Sequence, residues 1–314
     1  MHYIKSFAYL SAGANESLRC PLILFLLCGA LTVGGCSPTL PTEPGSVTGG
    51  DPKREEWVQL FNGKDLDGWD IKINGYDIND NFGNTFRVEK GLLKAAYDQY
   101  ESFESRFGLL FWRQKLSHYR LRVEYRFVGD QVAGGPDWAF RNSGIMVHSQ
   151  SAASMKRNQD FPISIEAQLL GGTETMERTN LNFCTPGTHL EIEGRLSTEH
   201  CLNSSFKAPQ GDRWVTVEVE VLGDSSIRLL HRGEEVLSCR RPQIGGGVVQ
   251  NYEESVKVDG KLLREGFIAL QGESHPIEFR KVELLNLRGC MDPAASTYKA
   301  YYVESDDAGC RYSG

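Results

Sequence analysis

The sequence offers little helical periodicity, no internal repeat and, beyond Val33, no apolar run near the ~20 residues of a membrane-spanning helix. A helical bundle and a multi-span membrane protein are therefore not expected. No basic block interrupts a chain of net charge −7, so the electrostatic footprint of a nucleic-acid binder is missing. No CxxC or HxxxH spacing marks a zinc site. What remains is one body of strand-forming segments, long enough for a large all-β domain and expected to be soluble.

The N-terminus reads as an export signal. Lys5 and Arg19 precede "PLILFLLCGALTV", Pro21 to Val33, which has the length of a signal-peptide core. The stretch before it is long and holds Glu16, which points to a start downstream of Met1. "LTVGGC" resembles a bacterial lipobox, with Cys36 as the lipidated residue; an ordinary secretory signal is the alternative. Ser37 follows, where an aspartate would favour retention in the inner membrane. The expected organisation is a lipoprotein signal over 1–35, a Pro/Gly/Ser/Thr tether over 36–55, a β-sandwich over 56–288 and a small unit over 289–314. The mature protein is expected in the cell envelope, lipid-anchored, on the outer membrane.

The cysteines agree with export. After the signal and the lipid site, Cys184, Cys201, Cys239, Cys290 and Cys310 remain, and an oxidising compartment permits pairing. Cys184–Cys201 and Cys290–Cys310 would each close a loop of moderate length and stabilise the chain by about 3 kcal/mol. Cys239, in "EEVLSCRRPQ", is then a free core thiol. "GCMDPAASTYKAYYVESDDAGC" resembles the small cysteine-bracketed units attached to bacterial surface proteins. Its Asp292, Asp306 and Asp307 read as solvated turn carboxylates before calcium ligands.

Strand signals dominate the body. "YRLRVEYRF" and "WVTVEVEVLG" alternate apolar and polar residues, and "SIRLLHRGEEVLSCRR" reads as a hairpin turning at Arg232–Gly233. "NTFRVEKGLLKAA", "NSGIMVHSQ", "SIEAQLL", "GFIALQGE" and "IEFRKVELLNL" are further strands. Many short antiparallel strands imply a jelly-roll β-sandwich.

Some strands carry polar groups on the face opposite their oily one. In "NSGIMVHSQ", alternation places Asn142, Gly144, Met146 and His148 together. In "SIEAQLL" it places Glu166 with Gln168, and in "FIALQGESHPIEFR" Ala269, Gln271 and Glu273, followed by His275 and Arg280. If these strands are neighbours, amides, carboxylates and imidazoles merge into one patch suited to a polyhydroxylated ligand. Trp138, in "GGPDWAFRNSG", and the aromatic run Ala95–Trp112 could cover the apolar faces of a sugar. Each aromatic has a core reading as well, and His148 a structural one. Glu166, flanked by "ISI" and "AQLL", is hard to place as a solvated residue.

"LFNGKDLDGWD", "FRVEKGLLK", "YRLRVEYRF", "NSGIMVHSQ", "IEAQLLGG" and "GFIALQGESHPIEFRKVEL" resemble, in this order, the 3-keto-disaccharide hydrolase family, also known as DUF1080. The likeness spans Trp57 to Leu287. "NFCTPGTHLEIEGRLSTEHC" is similar to an insert of a subgroup of that family, which supports the Cys184–Cys201 pairing. Where many members carry arginine after NSG, this chain has His148.

The resemblance implies a concanavalin A-like sandwich acting on glycosides oxidised to a ketone at C3. That ketone acidifies the C2 hydrogen, so a base can remove it and expel the glycosidic oxygen from C1. Water adding afterwards gives net hydrolysis. The route needs a base, an enolate stabiliser and an acid for the leaving group. Glu166 is the expected base or metal ligand, with His148 or His275 as proton donor or second ligand. A divalent cation would serve as stabiliser, and no organic cofactor is expected. Asn142, Gln168, Gln271 and Glu273 would hold substrate under Trp138, and Arg280 would orient a carboxylate. A sugar 3-oxidoreductase that makes the ketone is the implied functional partner. Sandwich glucanases repeat acids at alternate positions of one strand, whereas this strand reads Glu166, Gln168, Leu170, so an ordinary two-carboxylate glycan hydrolase is an alternative carried by Glu273. A non-catalytic carbohydrate-binding module is the other.

Overall fold

The computed structural model describes residues 51–172 and 177–312. The signal over 1–35, Cys36 and the tether up to residue 50 lie outside the described residues.

Two antiparallel sheets pack face to face, as the alternating strands require. The larger, of 10 strands, runs in space Arg195–Ser197, Thr188–Ile192, Glu234–Ile244, Ser226–His231, Val215–Leu222, His118–Phe127, Ile277–Asn286, Leu92–Ala95 and Phe86–Glu89, with Val58–Gln59 pairing on Ile277–Asn286. The smaller, of 7 strands, runs Cys201–Leu202, Asn182–Cys184, Ile165–Leu170, Asn142–Ser149, Phe267–Gly272, Gly108–Trp112 and Trp69–Ile73. Sequence neighbours are often not spatial neighbours, which is the crossing connectivity of a concanavalin-like jelly roll. The strands thought to share a polar patch do lie side by side: Glu166 pairs with Met146, Ile145 with Leu270.

One core lies between the sheets. Ile145, Val147, Ile165, Ala167, Leu169, Ile268 and Leu270 of the smaller sheet meet Leu121, Val123, Tyr125, Val217, Val219 and Phe279 of the larger, all nearly inaccessible to solvent. Each large apolar side chain buried there contributes about 1.5–3 kcal/mol. On the outer face of the larger sheet the charged partners of those residues form cross-strand pairs. Arg122 donates to Glu218 and Glu283, Arg120 to Glu220, and Arg126 to Glu278. With the arginines still partly exposed, each such pair is worth about 1 kcal/mol or less, and together they fix register.

Both predicted disulfides are present, Cys184–Cys201 and Cys290–Cys310, and Cys239 is a buried free thiol. The C-terminal unit lies against the sandwich: Val303 N donates to Leu287 O, Ala300 N to Pro52 O, and Lys299 Nζ bonds Glu56.

Candidate active site

The outer face of the smaller sheet is where the polar residues collect. Alternation sends Ile165, Ala167 and Leu169 to the core and therefore Glu166 and Gln168 outward. On the neighbouring strand the same rule turns Asn142, Gly144 and Met146 outward. Gly144 decides how the centre is built. A Cβ there would come within 2.4 Å of Glu166 Oε1 and 2.7 Å of its Cγ. The missing side chain is the space in which the Glu166 carboxyl lies, flat against the sheet and only 7% exposed.

Glu273 approaches from the end of the Gln271 strand and is 3% exposed. Burial pushes the Glu166 carboxyl up to about 8. Burial, and then the charge of Glu166, push Glu273 well above the usual carboxylate range. Glu166 therefore keeps its proton until pH approaches about 8 and Glu273 holds its own more tightly, so the first proton leaves the pair near pH 8 and the second stays. Around them are polar atoms with nothing to bond. Glu273 Oε2, Asn142 Oδ1 and both amide atoms of Gln271 are buried without a hydrogen-bond partner. Asn142 Nδ2 does donate, to Trp138 O at 3.3 Å. Each orphaned group costs about 1–3 kcal/mol in the empty protein, a cost that a ligand or ordered water removes.

A cleft of about 380 Å³ stands over this floor. Its walls are apolar. Trp138, 55% exposed, stacks on Phe107 with ring centroids 5.8 Å apart, and Phe107 packs against Phe161 at 4.8 Å. Across the cleft stand Pro186, Val248, His200 and the Cys184–Cys201 disulfide. A polar floor under an aromatic wall fits a sugar ring, which presents hydroxyls at its edge and C–H groups on its faces. Of the residues expected from sequence, Glu166, Glu273, Asn142, Gln168 and Trp138 line this cleft, and Gln271 lies beside Glu273 on the same face.

His148, His275 and Arg280 are not brought there. The alternation that assigned His148 to the cleft face breaks after Met146. Ser149 pairs with Phe267 but Met146 with Ala269, so three steps on one strand match two on the other. His148 sits in this bulge at φ 48°, and its Nε2 reaches Gly223 O of the other sheet at 2.9 Å. Burial lowers its pKa to about 4, so it is neutral and remote from Glu166, and the pairing of the two as metal ligands falls with it. His275 follows Ser274, whose φ of 83° turns the chain from one sheet into the other. Its ring is fully buried, edge-on to Phe127 and Phe140, with both nitrogens unbonded, and burial with the charge of Arg141 lowers its pKa to about 4. Arg280 lies on the far side of the sandwich. It pairs with Glu124 at 2.5 Å and stacks on Trp214 at 4.5 Å. The bulge between Phe279 and Lys281 sets its direction.

Sequence reading missed His200, Phe161, Pro186 and Val248, all on loops or a strand end. Val248 left one signal only in the structure: φ 60°, a left-handed conformation that a β-branched residue seldom adopts and that accompanies functional sites. Cys184, His200 and Cys201 place possible ligand atoms within 4.8 Å of one another, but both sulfurs are committed to the disulfide, which leaves no thiolate for a metal.

A family model described as 3-keto-alpha-glucoside-1,2-lyase-like domain matches residues 56–285. No curated protein matches the chain. Among solved structures, a candidate glycosyl hydrolase from Parabacteroides distasonis is 18% identical, with 74% of this chain and 94% of that one covered and a TM-score of 0.44. A β-glucanase from Bacillus licheniformis is 11% identical over 74% of this chain and 98% of that one, with a TM-score of 0.41. The carbohydrate binding module CBM66 from Bacillus subtilis is 10% identical over 57% and 82%, with a TM-score of 0.33. At that distance they carry no argument; the fold rests on the strands themselves.

Proposed function

The chain belongs to the family of 3-keto-alpha-glucoside-1,2-lyase-like domains, and from that premise we propose that it cleaves 3-keto-glycosides by elimination across C1 and C2. The observation that carries the proposal is the buried Glu166–Glu273 pair, set among unpaired amides on the floor of a cleft sized for a sugar.

The chemistry uses the proton the pair shares. In the singly protonated form of the pair, reached as pH approaches about 8, Glu166 is ionised and removes the C2 hydrogen that the C3 ketone has acidified. The C–H electron pair passes to the ketone oxygen as an enolate and returns to form the C1–C2 double bond as the C1–O bond breaks. Glu273, protonated, gives its proton to the departing oxygen, which leaves as an alcohol. The pair again holds one proton afterwards, with its location exchanged. Water added across C1 and C2 completes a net hydrolysis. Asn142 and Gln271 offer the donors and acceptors that fix the ring and support the enolate, and in the water-poor cleft such fixed dipoles act strongly. Trp138 covers the apolar face of the sugar.

A divalent cation is the second way to satisfy two buried carboxyls. The donor set fits one: Glu166, Glu273, Asn142 Oδ1 and Gln271 Oε1 are oxygen donors, the last two orphaned, as a hard ion prefers. When bound it would polarise the ketone and its neighbouring hydroxyl. The proton transfers assigned to the two glutamates stand without it.

In this reading the enzyme works outside the cytoplasm, held by lipid at Cys36, on ketones supplied by a sugar 3-oxidoreductase. The "LTVGGC" sequence and the two disulfides support export. The test is product release from a 3-keto-disaccharide and from its unoxidised parent, with wild type and Glu166→Gln, with and without a chelator. Turnover of the keto form alone, lost in the variant, is expected. Cleavage of the unoxidised parent would return the site to an ordinary two-carboxylate hydrolase, and turnover of neither to a binding module.

A further inference from the structure

The cleft does not end at Gln168. A second depression of about 470 Å³ continues across the Asn182–Cys184 strand and the loop after Cys201, and shares Gln168 and Cys201 with the first. Its character changes: where the first cleft has aromatic walls, this one has none, and beside Leu170 and Cys201 its lining side chains are polar or charged, among them Gln168, Asn182, Asn203 and Lys207.

Gln168 stands at the junction, and its orientation is fixed by an unambiguous chain of hydrogen bonds. The backbone N–H of Ser204 donates to Asn182 Oδ1 at 3.0 Å, so that atom is an oxygen and the other a nitrogen. Asn182 Nδ2 donates to the backbone carbonyl of Thr179 at 3.1 Å and to Gln168 Oε1 at 3.0 Å. Thr179 Oγ1 closes the set by donating to Asn182 Oδ1 at 2.8 Å. Asn182 is 2% exposed and every polar atom of its side chain is used. The strands put Asn182 directly opposite Gln168, with side-chain-free Gly144 on its other flank. With Oε1 held, Gln168 Nε2 is left as a donor at the boundary between the two depressions.

We propose that this second depression is the subsite for a polyhydroxylated aglycone, a second sugar, and that Asn182 is the residue positioning Gln168 to donate to it. The proposal rests on the 3-keto-glycoside reading of the first cleft. The first cleft, with its single stacking wall and carboxyl pair, takes the oxidised ring. An apolar aglycone would find no aromatic ring at this end and only Leu170 and Cys201 as apolar side chains, whereas sugar hydroxyls find amide, hydroxyl and ammonium groups. The Lys207 ammonium, 80% exposed and 3.5 Å from Glu177, is held only weakly and is available to a hydroxyl.

The test compares two substrates, a 3-ketoglucosyl-glucose disaccharide and methyl 3-ketoglucoside, by the ratio of their kcat/KM values. Asn182→Asp is nearly isosteric but has no Nδ2 to donate, so Gln168 flips to donate to it and presents an oxygen to the subsite. The ratio should fall about tenfold toward the methyl substrate, the effect of one lost hydrogen bond. The exposed double variant Asn203→Ala/Lys207→Ala, which touches no core, should shift it in the same direction. An unmoved ratio in both variants overturns the proposal, as does an equal loss on both substrates. If wild type turns over neither substrate, the 3-keto reading fails. The subsite is then decided by calorimetry: the double variant should bind the unoxidised disaccharide about tenfold more weakly, with methyl glucoside as reference, and equal affinities refute it.

Discussion

Gly144→Ala adds one methyl group to a strand that tolerates it, in the one place where the proposed chemistry does not. The new Cβ would stand 2.4 Å from Glu166 Oε1, 2.7 Å from its Cγ and 2.8 Å from its Cδ, against ordinary carbon contacts of about 3.5–4 Å. The carboxyl has to retreat by roughly 1 Å, and misplacement on that scale is worth about 100-fold in rate. The fold should bear it. Gly144 is paired in register with Gln168, and in a strand alanine is preferred to glycine by roughly 0.5–1 kcal/mol. The atoms to be moved belong to a side chain with a cleft to move into. Stability should therefore change by no more than about 1 kcal/mol, a shift in Tm of a few degrees at most. The assay is initial rate on a 3-keto-disaccharide beside a thermal melt of the same preparation. A kcat reduced by about two orders of magnitude with an intact melt is expected. Wild-type kcat in a folded variant would refute the reasoning, because the carboxyl would then work equally well away from its place above Gly144. A Tm lowered by tens of degrees would refute it differently, by showing that the backbone and not the side chain yields.

The raised proton affinities carry a sign. The folded protein keeps a proton on Glu166 up to about pH 8, while an unfolded glutamate releases it near the ordinary value of 4.5. That contribution to stability is fully present below pH 4.5 and is lost as pH rises to 8, so wild type should lose Tm across this window. Glu166→Gln should flatten the loss and exceed wild type at pH 8; parallel melting curves would contradict a buried shared proton. The Cys184–Cys201 link spans 17 residues, so the double variant Cys184→Ser/Cys201→Ser should lower denaturant stability by about 3 kcal/mol. An unchanged midpoint would mean that the neighbouring strands hold this cleft wall without it.

How much of this was legible in the sequence depends on how far each feature follows from a period of two. Ile165, Ala167 and Leu169 announce their strand and its buried face, and with it the outward direction of Glu166 and Gln168. Where alternation is unbroken, the reading placed the residue: Asn142, Glu166, Gln168 and Glu273 share one cleft. Where the backbone departs from it, the reading failed. His148 is lost to a bulge, His275 to the left-handed turn at Ser274, and Arg280 to the bulge after Phe279 that sets it on Glu124. Those departures depend on hydrogen-bond register between strands far apart in sequence, which no local pattern of residue types reports. The loop residues His200 and Val248 were invisible for the same reason, since nothing periodic ties them to the cleft.

The failures and the successes share one cause, and it bears on where the chemistry lies. All the imidazoles that the sequence offered as proton donors to Glu166 were removed by irregular backbone, and the group that replaced them came from a regular strand. Glu273 extends the alternation Ala269, Gln271 by one more step, which delivers a second carboxyl to the face that already holds the first. A histidine beside Glu166 would have held it ionised by attraction. A glutamate does the reverse: burial raises the proton affinity of both, and the charge of Glu166 raises that of Glu273 further. The site is thereby poised to release its first proton near pH 8 and keep the second, and in that singly protonated form it can take one proton from carbon and give one to oxygen without exchanging either with bulk water. That capacity follows from the placement of two like side chains on the two strands that flank a third, with a glycine on the middle strand to make room.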